Sequence, residues 1–264
     1  MTVIEKDTMK SNVPSETGPS GSGRFLHGPS RRTSEPVHPP LKVIARVRSE
    51  FPEKFGIPRQ SGLVPELISR VVFEPEFRNA EALRGIEGFD YLWLIWEFSG
   101  NLRDSWSPTV RPPRLGGNAR LGVFATRSPF RPNPIGLSSV KLERVEDDPE
   151  DGLTLIVSGA DLMDGTPVYD IKPYIPYTDA HPDAAGGFAA EPDSVLPVVF
   201  PQELLTQIPE KHRNALIQTL AQDPRPSYRA DGDRMYGMYF AGFNVRFRVE
   251  NGVVTVGGVE RAAE

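Results

Sequence analysis

A chain of 264 residues with no cysteine, 27 prolines and a formal net charge of −5 is long enough for one large or two modest domains. It excludes disulfides, cysteine-ligated zinc, iron–sulfur clusters and cysteine nucleophiles. Proline stands at about twice its usual ~5% share, which leaves little room for long helices, and the overall acidity means that any nucleic-acid site must be local.

Residues 1–39 read as a disordered tail, because clusters such as GPSGSG, SRRTSEP and HPP have almost nothing to bury. Structure is expected from Leu41. The run LKVIARVRS alternates, with Val43, Ala45 and Val47 on one face and Lys42, Arg46 and Arg48 on the other. Further strands are predicted at 70–77, 91–98, 120–126, 137–145, 154–159 and 168–174, and a short helix at 79–84 that ends at Gly85. Short, regular spacing with Gly, Pro, Asn and Asp between the strands points to an antiparallel sandwich or barrel. Near residue 192 the texture changes. PQELLTQI begins with a proline suited to a first helical turn, and 210–222 carries Ala215, Leu216, Ile217 and Leu220 at helical spacing. FNVRFRVENGVVTVGG is a hairpin whose Phe243, Val245, Phe247 and Val249 alternate with polar residues before an Asn251-Gly252 turn. The expected division is a tail at 1–39, a β domain at 40–191 and a small α+β domain at 192–264.

Only His181 and His212 lie outside the tail, so no metal site is expected. No apolar run reaches the ~18 residues of a membrane span, and the N-terminus lacks the apolar core of a secretory signal, which is consistent with the cytoplasm.

The chemistry concentrates between Arg103 and Arg131, where six arginines share the segment with no lysine and one acid, Asp104. Solvated faces usually mix signs, and an arginine-only run suits bidentate contact with phosphate or carboxylate. Pairing of these arginines with acids elsewhere in the sheet stays an open alternative. The prolines of RPNP pin the backbone around Arg131 and Asn133. No G-x-G-x-x-G opens a helix after a strand, and there is no P-loop, G-x-S-x-G or HExxH.

The stretch GVFATRSPFRPNPIGLS resembles the signature of the TrmO (TsaA-like) family of tRNA adenine-N6 methyltransferases. KFGIPRQSGLV, RGIEGFDYLW, DLMDGTPVYDIKPY, LAQDPRPSYR and FNVRFRV resemble bacterial members in the same order, so the likeness spans Val43 to about Val249. It implies a mainly β fold, with an antiparallel β-barrel methyltransferase core and the small C-terminal α+β domain, S-adenosylmethionine as cofactor, tRNA as partner and a homodimer. The reaction implied is methylation of N6 of threonylcarbamoyladenosine, 3′ of the anticodon. Carried over by position, the cofactor pocket would take Pro58, Arg59, Gln60, Phe98, Ser99, Arg127, Leu137, Ala160, Asp161, Leu162 and Met163. Serine stands at 99 where relatives often have histidine, so a backbone contact is the expectation there. Asp170 and Tyr174 are candidates to assist loss of the acceptor's proton, and Lys172 to stabilise charge on the carbamoyl oxygen. Arg111, Arg114, Arg131, Asn133, Arg225, Tyr228, Arg229 and Arg246 are expected to contact RNA. A barrel that binds RNA or an adenosyl metabolite without turnover is the rival reading.

Overall fold

Twelve strands organise the described residues of this computed structural model, which are 40–225 and 234–262. Six of them pair antiparallel in a closed ring: β1 (Ala45–Arg48), β2 (Ile68–Phe73), β3 (Tyr91–Glu97), β6 (Ile135–Asp148), β7 (Gly152–Ser158) and β8 (Pro167–Pro173), in the order β1-β2-β7-β6-β3-β8. Two residues of β8 close the ring on β1, Val168 opposite Ala45 and Pro167 opposite Arg46. A two-stranded ribbon, β4 (Thr109–Val110) and β5 (Leu121–Gly122), stands apart from it. The C-terminal sheet runs β10-β11-β12-β9, from β9 (Val198–Val199), β10 (Tyr236–Phe240), β11 (Phe243–Glu250) and β12 (Val253–Arg261).

Alternation decides what each strand buries. Ala45 and Val47 of β1, and Leu92, Leu94 and Trp96 of β3, point into the ring with Val71, Val140, Leu155, Val157 and Val168. β11 buries Phe243, Val245, Phe247 and Val249 against the helix Glu210–Ala221, whose Ala215, Leu216 and Leu220 face the sheet. The β11–β12 turn uses Asn251 at φ +50° and Gly252 at φ +76°, the left-handed pair that a two-residue hairpin requires.

The two cores belong to one compact unit, Leu41–Glu264. The segment after β1 joins them: Phe51, Val64 and Leu67 pack into the C-terminal core, where Phe51 meets Phe240 edge-on at 5.3 Å. Gly56, at φ +98°, lies so close to β10 that a Cβ would come within 2.6 Å of two Met238 atoms. A stretch adjoining β1 therefore helps hold the second core, at roughly 1.5–3 kcal/mol for each large apolar side chain fully buried.

Several expected elements differ. The strand predicted at 120–126 pairs only at Leu121–Gly122 and then turns through a 3-10 helix, Val123–Ala125, because only Thr109–Val110 lies beside it. The strand predicted at 70–77 ends at Phe73 and is followed by a 3-10 turn at Pro75–Phe77. The helix at 79–84 is a 3-10 helix, Ala80–Leu83, with the Asn79 side chain accepting from the Glu81 N–H. Strand β6 is longer than expected, and β9 and β10 were not anticipated. No helix among the described residues is long and apolar enough to cross a membrane.

Candidate active site

One cavity of about 370 Å³ opens where the end of β3, the start of β6 and the 54–60 segment meet, a size that suits a small organic ligand. β3 delivers Trp96 and, one residue past its last, Phe98, whose N–H donates to the Pro134 carbonyl at 2.8 Å. The Trp96 and Phe98 rings meet edge-on at 4.3 Å and form an aromatic wall. Lys54 Nζ donates to the Gly100 carbonyl and, at 2.5 Å, to Asn101 Oδ1, which ties the 99–101 turn to the 54–60 segment.

Asp161 is the half-buried carboxylate at the floor of the hydrogen-bond chain in the site. Trp96 Nε1–H donates to Ser138 Oγ at 2.9 Å, and the Ser138 hydroxyl donates to Asp161 Oδ1 at 2.6 Å. Burial pushes the Asp161 carboxyl above the usual carboxylate range, against the opposing pull of the Ser138 hydrogen bond and the Arg127 charge. Glu97, also on the wall, accepts from the Tyr169 hydroxyl at 2.6 Å; burial and then that carboxylate push the phenol up to about 12.

The cavity gathers most of the expected cofactor residues. Pro58, Arg59 and Gln60 line it from one side, Phe98, Ser99 and Leu137 from the strand ends, and Arg127, Asp161 and Met163 complete it. Ala160 and Leu162 do not line it: at 3% and 1% exposure they fill the ring's interior. Arg127 donates to Gln60 Oε1. Arg59 is held by Asp193 at 3.0 Å, and the same carboxylate takes Arg114 Nε at 3.3 Å.

The expected catalytic group stands elsewhere. Asp170 and Lys172 pair with each other at 2.8 Å along β8, opposite Ile95 and Trp93, and neither lines the cavity. Tyr174 also lies outside it, packing on Trp93 at 5.5 Å and Tyr91 at 6.2 Å. Of the expected RNA contacts, Arg131 lines the cavity, while Arg111 and Asn133 are exposed, Arg114 is half-buried, and none of the three lines it. Arg225 is clamped by Asp223 at 2.7 and 2.8 Å, and Arg246 by both oxygens of Glu260 at 2.6 and 2.7 Å. Tyr228 and Arg229 lie outside the described residues. The sequence reading missed Ser138, Trp96, Lys54 and Asp193; only the aromatic run YLWLIWEF hinted at one of them. Among the described residues no group of three or more His, Cys, Asp or Glu could hold a metal ion.

Two family models cover nearly all of the unit: the tRNA-methyltransferase O N-terminal domain over residues 46–180 and the TrmO C-terminal domain over 193–262. The tRNA (adenine(37)-N6)-methyltransferase of Escherichia coli K12 is 44% identical over 218 residues, 79% of this chain and 92% of that protein. A Pseudomonas aeruginosa protein, provisionally named an S-adenosylmethionine-dependent methyltransferase, is 44% identical over 206 residues, 75% of this chain and 87% of its own length. The crystal structure of TrmO from P. aeruginosa superposes with a TM-score of 0.71 at 35% identity, covering 87% of this chain and all of that one.

Proposed function

The chain belongs to the tRNA-methyltransferase O family, and from that premise we propose how its cavity works and on which base. It is a tRNA adenine-N6 methyltransferase that uses S-adenosylmethionine. As its finer substrate we propose the adenine at position 37 that already carries a threonylcarbamoyl group on N6.

The observation that supports this reading is the convergence of an aromatic wall, an arginine and a desolvated carboxylate on one cavity. Those residues fit the cofactor. Phe98 and Trp96 suit a cationic sulfur and a flat purine, and Arg127 suits the methionine carboxylate. S-adenosylmethionine supplies an electrophilic methyl group for in-line displacement. The protein's share is to hold the partners in near-attack geometry and exclude water, which the Lys54 tie across the 99–101 turn assists. The acceptor nitrogen is a weak nucleophile, since its lone pair is delocalised into ring and carbonyl, so its proton must be taken. We assign that task to the Asp161 carboxylate, held by Ser138 and made more basic by burial. Lys172, paired with Asp170 on the face that carries Trp93, is proposed to recognise the carboxylate of the threonylcarbamoyl group, with Tyr174 beside it.

For RNA we propose Arg111, Arg114, Arg131 and Asn133 as the principal contacts. Arg225 and Arg246 contribute less, because each is already neutralised by an acid, and Arg114 must share Asp193 with Arg59 to take part. Residues 40–191 would form the β-barrel catalytic domain and 192–264 an accessory domain. Exposed Tyr91, at the start of β3 and outside the cavity lining, supports a homodimer, and a tRNA substrate supports a cytoplasmic location.

Mass spectrometry of nucleosides from threonylcarbamoylated tRNA, incubated with protein and cofactor, tests the reading. A nucleoside heavier by one CH2, a methyl in place of the N6 proton, is expected. Cofactor binding without turnover on that tRNA would return the chain to a binding module. Arg127→Ala is expected to weaken cofactor affinity by about 30-fold, on the order of 2 kcal/mol for a charge-assisted hydrogen bond. Calorimetry showing wild-type affinity in a folded variant would remove Arg127 from the cofactor site.

A further inference from the structure

Beside the cavity, the arginine-rich segment displays two large aromatic rings that no other described residue covers. Trp106 is 49% exposed and Phe124 74%, with ring centroids 6.1 Å apart at 29°, a stacked pair turned toward solvent. Phe124 is anchored from below. Val123 is 1% exposed, and its N–H donates to the Pro108 carbonyl at 3.0 Å, so the 3-10 turn Val123–Ala125 anchors inward and thrusts Phe124 outward. On the Trp106 side a small cleft of about 100 Å³ is walled by Trp106, Arg103 and Phe130, and shares Asn101 and Arg131 with the large cavity. Within it the Arg103 guanidinium lies 3.9 Å over the Phe130 ring.

We infer that the Trp106–Phe124 pair, with the cleft next to it, is a stacking platform for an unpaired base of the RNA loop, adjacent to the base that enters the cavity. This rests on the tRNA reading above and extends it to a surface which that reading leaves unused. Charge selects the occupant. Arg103, Arg111, Arg120, Arg127 and Arg131 form no ion pair among the described residues, and Arg114 is the one that does. The single acid of the segment is Asp104, on a chain whose net charge is −5. A local excess of arginine on an acidic protein, interleaved with exposed rings, matches a polyanion with splayed bases. Protein–protein interface cores also enrich aromatic rings and arginine, but five arginines with no acid partner among the described residues favour a polyanion over a second protein surface. The shared Asn101 and Arg131 put the two subsites side by side, so a strand with one base in the cavity has its neighbour within reach of the rings.

The test uses the full chain and an anticodon stem-loop RNA bearing threonylcarbamoyladenosine. The Trp106→Ala/Phe124→Ala double variant is expected to bind this RNA about 10- to 100-fold more weakly, the range that stacking energies per base imply. Its salt dependence should be unchanged, since no phosphate contact is lost, and so should its cofactor affinity. Trp106→Phe keeps a stacking face and should bind within about threefold of wild type, with RNA quenching less tryptophan emission than is expected of wild type, because Trp93 and Trp96 remain. Wild-type RNA affinity in the double variant, with methylation by the wild type intact, overturns the platform and leaves the function standing. A wild type that neither binds nor methylates the RNA overturns both. If the double variant instead loses self-association in sedimentation and keeps its RNA affinity, the rings face a second copy and the inference is wrong. Should the double variant fail to fold, Phe124→Ala alone, at a ring that is 74% exposed, decides by the same RNA titration.

Discussion

Asp161→Asn is expected to slow methyl transfer by on the order of 100-fold, the low end of what a positioned general base contributes, and to make the protein more stable at neutral pH. Both effects come from one cause. Burial raises the carboxyl's pKa because the ionised form is deprived of water, and Ser138 and Arg127 offset that only in part. With the folded pKa above the unfolded one, the folded state holds the extra proton between the two values. The stabilisation is full below the ordinary carboxylate value and is lost as pH rises through the raised one. At neutral pH the wild type therefore carries the cost of a desolvated charge. Asparagine does not, and it still accepts the Ser138 hydroxyl. Denaturant melts across acidic to neutral pH should show the stability difference in favour of the variant growing over that window. Methyl transfer by the wild type should rise with pH through the same window. In Arg127→Ala that limb should shift to higher pH, because a cation favouring the ionised form is gone. Equal kinetics for Asp161→Asn and wild type would end the assignment of Asp161 as proton acceptor.

The second large effect is expected at Gly136, which faces Trp96 directly across β6 and β3. A Cβ there would lie within 2.7 Å of three atoms of the Trp96 indole, closer than packed carbons approach. Gly136→Ala should cost about 1–3 kcal/mol of stability, as overpacking does. It should also weaken cofactor binding, since Trp96 both holds Ser138 at 2.9 Å and backs the Phe98 ring at 4.3 Å. Trp96→Phe in the same chain removes the crowding ring and should restore stability without restoring the hydrogen bond to Ser138. A double-mutant cycle by chemical denaturation and calorimetry separates the two. Additive losses in that cycle would show that the cost at Gly136 does not come from the Trp96 indole.

The strands that read most plainly are those in which every second side chain enters a core. β11 and its Asn251-Gly252 turn could be drawn from composition, because both the buried set and the positive-φ turn are local demands. The 120–126 segment alternates too, yet it pairs for only two residues, since a strand needs a neighbour and its sequence does not say whether one is present. The arginines from Arg103 to Arg131 were legible as a display of polar groups, and Asp170 and Lys172 as charges on a strand. That Asp170 and Lys172 would satisfy each other, outside the cavity, was not.

The sequence by itself determined which residues are buried, where the tight turns fall, and that arginines crowd one glycine- and proline-rich segment, because alternation, φ preference and composition act over a few neighbouring residues. Only the tertiary structure decided which charges stay available. Asp193 reaches across to Arg59 and Arg114, Glu260 takes Arg246, and Ser138 and Trp96 converge on Asp161 from separate strands. An ion pair or a hydrogen bond depends on distance in space, and the closed ring of strands brings together residues that the chain keeps far apart.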